Sequence, residues 1–221
     1  MHKNIAIAGL LLGSLTGSMA LADDGKTYQV TVTNLTRGEV FTPVLVASHS
    51  PASLLFTEGA PASMELSALA EGGATAPLKT LLDGDERVRD TATAGGPVPP
   101  GGTVSITIQA KKRDHVSMAA MLVPTNDGFF AVQSAALPKE DQETVTLYAP
   151  AYDAGSEPND ELCLSIPGPA PICAGEGISA GIGGEGYVHI HAGIHGIGDL
   201  SAASHDWRNP VAKVTIEQVK E

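Results

Sequence analysis

Residues 149–159, APAYDAGSEPN, place two carboxylates, Asp153 and Glu157, four positions apart in a stretch punctuated by Pro150, Gly155 and Pro158. Those three residues interrupt helix and strand alike, so the spacing predicts an irregular loop. Carboxylates on such a loop, with backbone carbonyls turned in among them, are the hard oxygen donors that Ca²⁺ takes at high, flexible coordination number. A second acidic loop, TNDG at 125–128, contributes Asp127. Turn chemistry alone also enriches surface loops in Asp, Asn, Gly and Pro, and that is the competing reading. The pattern is not an EF-hand, lacking its alternating acids and distant Glu.

A second constellation is YVHIHAGIH at 187–195. His189 and His191, two apart on a strand, project to one face, and His195 follows the Gly193 turn. Three imidazoles leaving an open position could hold Zn²⁺ or Cu²⁺, the basis of a periplasmic transition-metal protein or a metal-dependent hydrolase. His49 and His205 would join only if the fold brought them near. Against this stands a strand whose polar face carries His for hydrogen bonding. GISAG at 177–181 matches GxSxG, with Asp199 and His205 following in hydrolase order. That motif needs a strand before Ser179 and a helix after it, whereas residues 175–186 hold six glycines. A glycine-rich loop is expected there, and no catalytic residue is assigned. Neither a dinucleotide fingerprint nor a P-loop is present. Trp207 is expected to plug the end of the fold rather than to offer an exposed aromatic to a carbohydrate or protein.

The elements that must position these groups read mainly as strands. Tyr28, Val30 and Val32 alternate with polar neighbours, as do Val104, Ile106 and Ile108, the period-two pattern of half-buried strands. Residues 44–47, 116–123, 129–133, 144–148, 187–191 and 212–216 read likewise. Residues 62–70 and 78–82 look like short helices within one long connection, and 93–102 is a loop. Strands do not alternate regularly with helices, so the expected class is all-β, an antiparallel β-sandwich with one or two short helices. One end of such a sandwich would gather Asp127, Asp153 and Glu157. Phe129 and Phe130 should face opposite ways, so at least one is core. Cys163 and Cys173 bracket a Pro-rich segment and, in an exported chain, read as one disulfide.

The run YDAGSE at 152–157 resembles the YDAGT-[DE] signature of the spondin N-terminal domain, a module of animal matrix proteins and of many bacterial secreted proteins. DGFFA at 127–131 is similar to that family's aspartate-aromatic strand start, and NPVAKVTI at 209–216 to its closing strand. The resemblance extends over roughly 27–219 and implies a C2-like sandwich with one Ca²⁺ held by Asp127, Asp153 and Glu157. Gly128 and Glu157 depart from the animal pattern, which has a large aromatic and an Asp there. Bacterial members often carry a similar HxHxGIHG run, with no role to transfer. The resemblance further implies a non-enzymatic adhesion or protein-interaction module.

At the scale of the chain, residues 1–22 read as a signal peptide: Lys3, an apolar run over 5–18, then Ala20-Leu21-Ala22 as the cleavage site. Residues 23–221 then form a single domain, exported to the periplasm or beyond the cell, with no transmembrane span. The formal net charge of −12 disfavours nucleic acid and anionic membranes and favours cations. The expected partner is an extracellular or periplasmic protein or glycan.

Overall fold

The computed structural model describes residues 25–140, 142–168, 172–175 and 183–220. The expected signal peptide and the GxSxG serine, Ser179, lie outside them. The strands in chain order are β1 (Lys26–Asn34), β2 (Val40–Phe41), β3 (Leu45–His49), β4 (Val88–Thr93), β5 (Thr103–Ala110), β6 (His115–Val123), β7 (Gly128–Ala136), β8 (Thr144–Ala149), β9 (Ala151–Asp153), β10 (His189–Ile190) and β11 (Ala212–Gln218). The helices are α1 (Met64–Gly72), α2 (Thr75–Asp83) and α3 (Ala202–His205).

Two antiparallel sheets form an all-β sandwich. One has the order β5-β1-β11-β8, the other β10-β9-β7-β6-β3-β4, with β2 added against β6. Alternation decides which side of the first sheet faces in. Val30 pairs with Ile216 and Val32 with Val214, all fully buried, while Thr31 and Thr215 between them face outward. The second sheet has no wet face at its centre. Met118, Ala120 and Leu122 of β6 enter the core between the sheets, while Ala119 joins a second core under the helices. This double cover is why β6 is buried on both faces from Val116 to Val123 and apolar there except at Ser117, rather than alternating.

Both phenylalanines of β7 are therefore core. Phe130 meets Phe41 between the sheets at 4.5 Å. Phe129, on the other face, packs with Phe56 and Tyr152 and with Leu66, Leu69 and Leu78 of the two helices. Ser63 caps α1 by accepting from the Leu66 N–H, and Gly73, at φ +66°, ends it. The anticipated bridge Cys163–Cys173 is formed.

One expectation is corrected. Residues 151–153 are not irregular: they form β9, held between β7 and β10. Pro150 sits just outside the ladder and Gly155 just beyond it, so both breakers bound the strand instead of preventing it. β4 was not legible as a strand, because its burial does not alternate and its sequence is polar.

Candidate metal centre

Register places the acids. Asp153 stands at the end of β9 opposite Gly128 of β7 on one side and His189 of β10 on the other. Directly opposed residues in an antiparallel sheet project to one face, so Asp153 and His189 share a side. Gly128 leaves that side open: a Cβ there would lie 2.7 Å from Thr125 Oγ1 and 3.0 Å from His191 Cδ2. Gly128 is thus what lets the His191 ring lie over β7.

Beyond β9 the chain folds back over Asp127. Asp153 Oδ1 accepts from Gly155 N at 2.7 Å, closing a tight turn in which Gly155 has φ +65°. Asp127 Oδ2 then accepts from Ser156 N (2.7 Å), Ser156 Oγ (3.1 Å) and Glu157 N (3.0 Å). Its other oxygen, Oδ1, is shut away from water with no hydrogen-bond partner. Asp127 and Asp153 are 0% exposed and Glu157 1%. The 155–157 backbone thus closes on Asp127, whose charge is felt with that of Asp153, but the carboxylates of Asp127, Asp153 and Glu157 do not form a group with all their ligand atoms within 4.8 Å of one another.

Burial sets their electrostatics. Desolvation, followed by the charge of Asp153, pushes the Asp127 carboxyl up to about 7 against the three hydrogen bonds it receives. Asp153 is also raised by desolvation, opposed by hydrogen bonds from the Asn159 amide and Gly155 N. Among the described residues no Lys or Arg pairs with either of them. Two adjoining buried carboxylates with no Lys or Arg partner, and with only the His189 imidazole 3.9 Å from Asp153, fit a dication, which would supply positive charge and a partner for Asp127 Oδ1. Ca²⁺ bonds of about 2.3–2.6 Å are shorter than hydrogen bonds to water, which suits an oxygen that water does not reach.

The histidines divide. His189 is half-buried, with Nδ1 3.2 Å from Tyr187 O and 3.9 Å from Asp153 Oδ1. His191 is buried against Trp207, ring centroids 4.9 Å apart. His195 is exposed beside Glu161. Burial drives the His191 imidazole down to about 4, so the ring is neutral, and its Nδ1 accepts from Gly193 N at 2.9 Å. A neutral ring accepting at Nδ1 carries its proton on Nε2, the nitrogen a metal would need. That arrangement weighs against a three-imidazole site. His49 is engaged at both nitrogens by Ser50 O and Ser117 Oγ, and His205 Nδ1 faces Glu39. Asp199, the acid of the considered triad, accepts from Cys163 N. Trp207 is buried, as a plug would be, and lines a cleft of about 270 Å³ with His191, His195 and Arg208.

Two functional candidates were not read from the sequence. Among the described residues, the three metal-ligating groups whose donor atoms all lie within 4.8 Å of one another are Asp153, Glu185 and His189. Glu185 had no signal, being one acid in a glycine-rich run. Glu161 is a buried carboxylate that accepts from the N–H groups of His195, Gly196 and Ile197. Nothing local in the sequence links it to a loop 34 residues away.

Comparison with known proteins gives one family. A model of the spondin N-terminal domain, Spondin_N, matches residues 26–160. The matched segment contains Asp127, Asp153 and Glu157 and stops before the histidines and β11, short of the span suggested by the sequence motifs. No curated protein matches the chain.

Proposed function

The chain belongs to the spondin N-terminal domain family, and from that premise we propose that it is an exported, non-enzymatic interaction module whose binding loops are fixed by Ca²⁺ at Asp127, Asp153 and Glu157. The observation that carries the reading is Asp127 Oδ1, fully buried without a hydrogen-bond partner beside a second buried carboxylate. Left alone, such a pair costs several kcal/mol of desolvation and repulsion. A bound dication reverses the sign of the local field and ties the 125–128 loop to the 153–157 loop. The rigid rim so formed would present its surface to an extracellular or periplasmic protein or glycan.

The test is elemental analysis of protein purified without chelator, followed by melting with EGTA and then with Ca²⁺ in excess. Stoichiometric Ca, a melting temperature lowered by EGTA and restored by Ca²⁺, and loss of that response in Asp127→Asn are expected. A metal-loaded protein whose melt ignores EGTA would overturn the reading.

A further inference from the structure

Beside that centre, we propose a second metal position, formed by Asp153, Glu185 and His189 and suited to a borderline transition dication such as Zn²⁺. It shares Asp153 with the calcium reading but does not depend on it.

Three observations converge on the site. The first is donor geometry: one ligand atom from each of the three residues lies within 4.8 Å of the other two. Asp153 Oδ1 and His189 Nδ1 are 3.9 Å apart, too far for a hydrogen bond; Nδ1 instead donates to Tyr187 O at 3.2 Å, so a metal there takes the place of that proton. Two atoms bonded to one Zn²⁺ at about 2.0–2.2 Å are separated by roughly 3.3–4 Å, depending on the angle between the bonds. A single ion would therefore need only small side-chain movements.

The second is the backbone that holds the donors. His189 is the direct register partner of Asp153, so their side chains emerge on the same face. Glu185 arrives from a segment interlocked with the Asp153 loop: Gly186 N donates to Gly155 O at 2.8 Å. Gly184 lies so close to Gly155 that a Cβ would meet its carbonyl oxygen at 2.3 Å, and a Cβ at Gly155 would meet Tyr187 O at 2.4 Å. Only glycine at both positions allows that approach. Asn159 Nδ2 reaches Asp153 Oδ2 at 2.6 Å and Glu185 Oε1 at 3.5 Å, bringing the two carboxylates to one amide.

The third is charge and donor chemistry. Asp153 and Glu185 repel each other, and among the described residues no Lys or Arg pairs with either. Asp127, with its unpartnered buried oxygen, adds a further negative group in electrostatic contact with Asp153. The imidazole separates this set from the all-oxygen one. One nitrogen with two carboxylates suits Zn²⁺ and its neighbours in the first transition row, whereas Ca²⁺ takes oxygen. Glu185 and His189 both fall beyond the segment matched by the family model, whereas Asp153 lies within it.

The experiment is calorimetric titration of EDTA-stripped, dialysed protein with Zn²⁺, and with Co²⁺ read by its visible absorption. Wild type should bind one Zn²⁺ saturably at this position. Glu185→Gln and His189→Ala should each weaken it at least tenfold, while His195→Ala leaves it within twofold. Glu185 is exposed and His189 half-buried, so both variants should keep the metal-free melt and circular dichroism of wild type. Lack of saturable Zn²⁺ binding, wild-type affinity in both variants, or loss on His191→Ala in place of His189→Ala would each overturn the proposal. The Ca²⁺-dependent rise in melting temperature should persist in Glu185→Gln, so failure of the calcium reading and failure of this one are separately visible.

Discussion

Glu39 is the residue on which a pH effect can be argued most directly, because it lies far in sequence from the metal candidates and is completely buried. One oxygen is 3.2 Å from His205 Nδ1 and the other has no partner. Desolvation pushes the carboxyl up to about 9 from an ordinary value of 4.5, and burial keeps the neighbouring imidazole low. The pair is thus neutral in the folded protein at pH 7. An acid raised on folding is protonated in the folded chain and ionised in the unfolded one between those two values. Its stabilising contribution is complete below pH 4.5 and is lost as pH rises toward 9. Urea unfolding at pH 5, 7 and 9 should show wild type losing on the order of a few kcal/mol relative to Glu39→Gln across that range. Parallel losses in the two proteins would mean that the carboxyl is solvated. In sequence, Glu39 was one more acid among 25 Asp and Glu, and only the long-range approach of β2 to α3 made it distinctive.

Elements with a repeating pattern were legible, and those defined by a distant partner were not. β1, β5 and β11 alternate because one side of their sheet faces water, so Val30, Ile106 and Val214 declared their side. β9 is three residues long and owes its existence to pairing on both edges, which nothing local to Ala151, Tyr152 and Asp153 reveals. β10 was read over 187–191 yet spans only two residues, because Tyr187 is packed on Gly155 and the Val188 backbone is hydrogen-bonded to Gly59 and Ala60. The same asymmetry applies to the centre. Asp127, Asp153 and Glu157 were visible as acids in turns, while the partnership of Asp153 with Glu185 depends on glycine packing across 32 positions. Glu161 shows what such a partnership contributes. Its backbone sits at φ +56°, unusual for a residue with a side chain, and its carboxylate collects three N–H groups at 2.6, 2.7 and 2.9 Å. In Glu161→Gln one oxygen becomes an NH₂ facing backbone donors, so at least one charge-assisted bond is lost, worth about 1.5–3 kcal/mol. Hydrogen exchange should then accelerate at least tenfold at one or more of His195, Gly196 and Ile197, with β1 and β11 protected as before. Unchanged exchange at all three amides would show that the loop is held by something else.

For the whole molecule, the question is whether cations act by occupying a site or by screening an acidic surface, since a chain of formal charge −12 would be steadied by either. The two differ in selectivity and in salt dependence. Screening treats Ca²⁺ and Mg²⁺ nearly alike and fades when sodium chloride has already shortened the Debye length to a few ångströms. A buried pair such as Asp127 and Asp153, on loops closed by fixed backbone hydrogen bonds, favours the larger ion that accepts irregular, carboxylate-rich coordination and sheds its water readily. Mg²⁺ demands a near-octahedral shell and keeps its waters, for which an oxygen closed to water leaves no room. In about 0.3 M salt, Ca²⁺ at a hundred times its Kd should stabilise the fold by about 2.7 kcal/mol. For a domain of this size that is a rise of roughly 5–10 °C in melting temperature. Mg²⁺ at the same concentration should give less than a quarter of that shift, and Asp153→Asn should respond to neither ion. Equal shifts from the two ions, vanishing together as salt is raised, would assign the stabilisation to the acidic surface and leave the buried carboxyls to protonation alone.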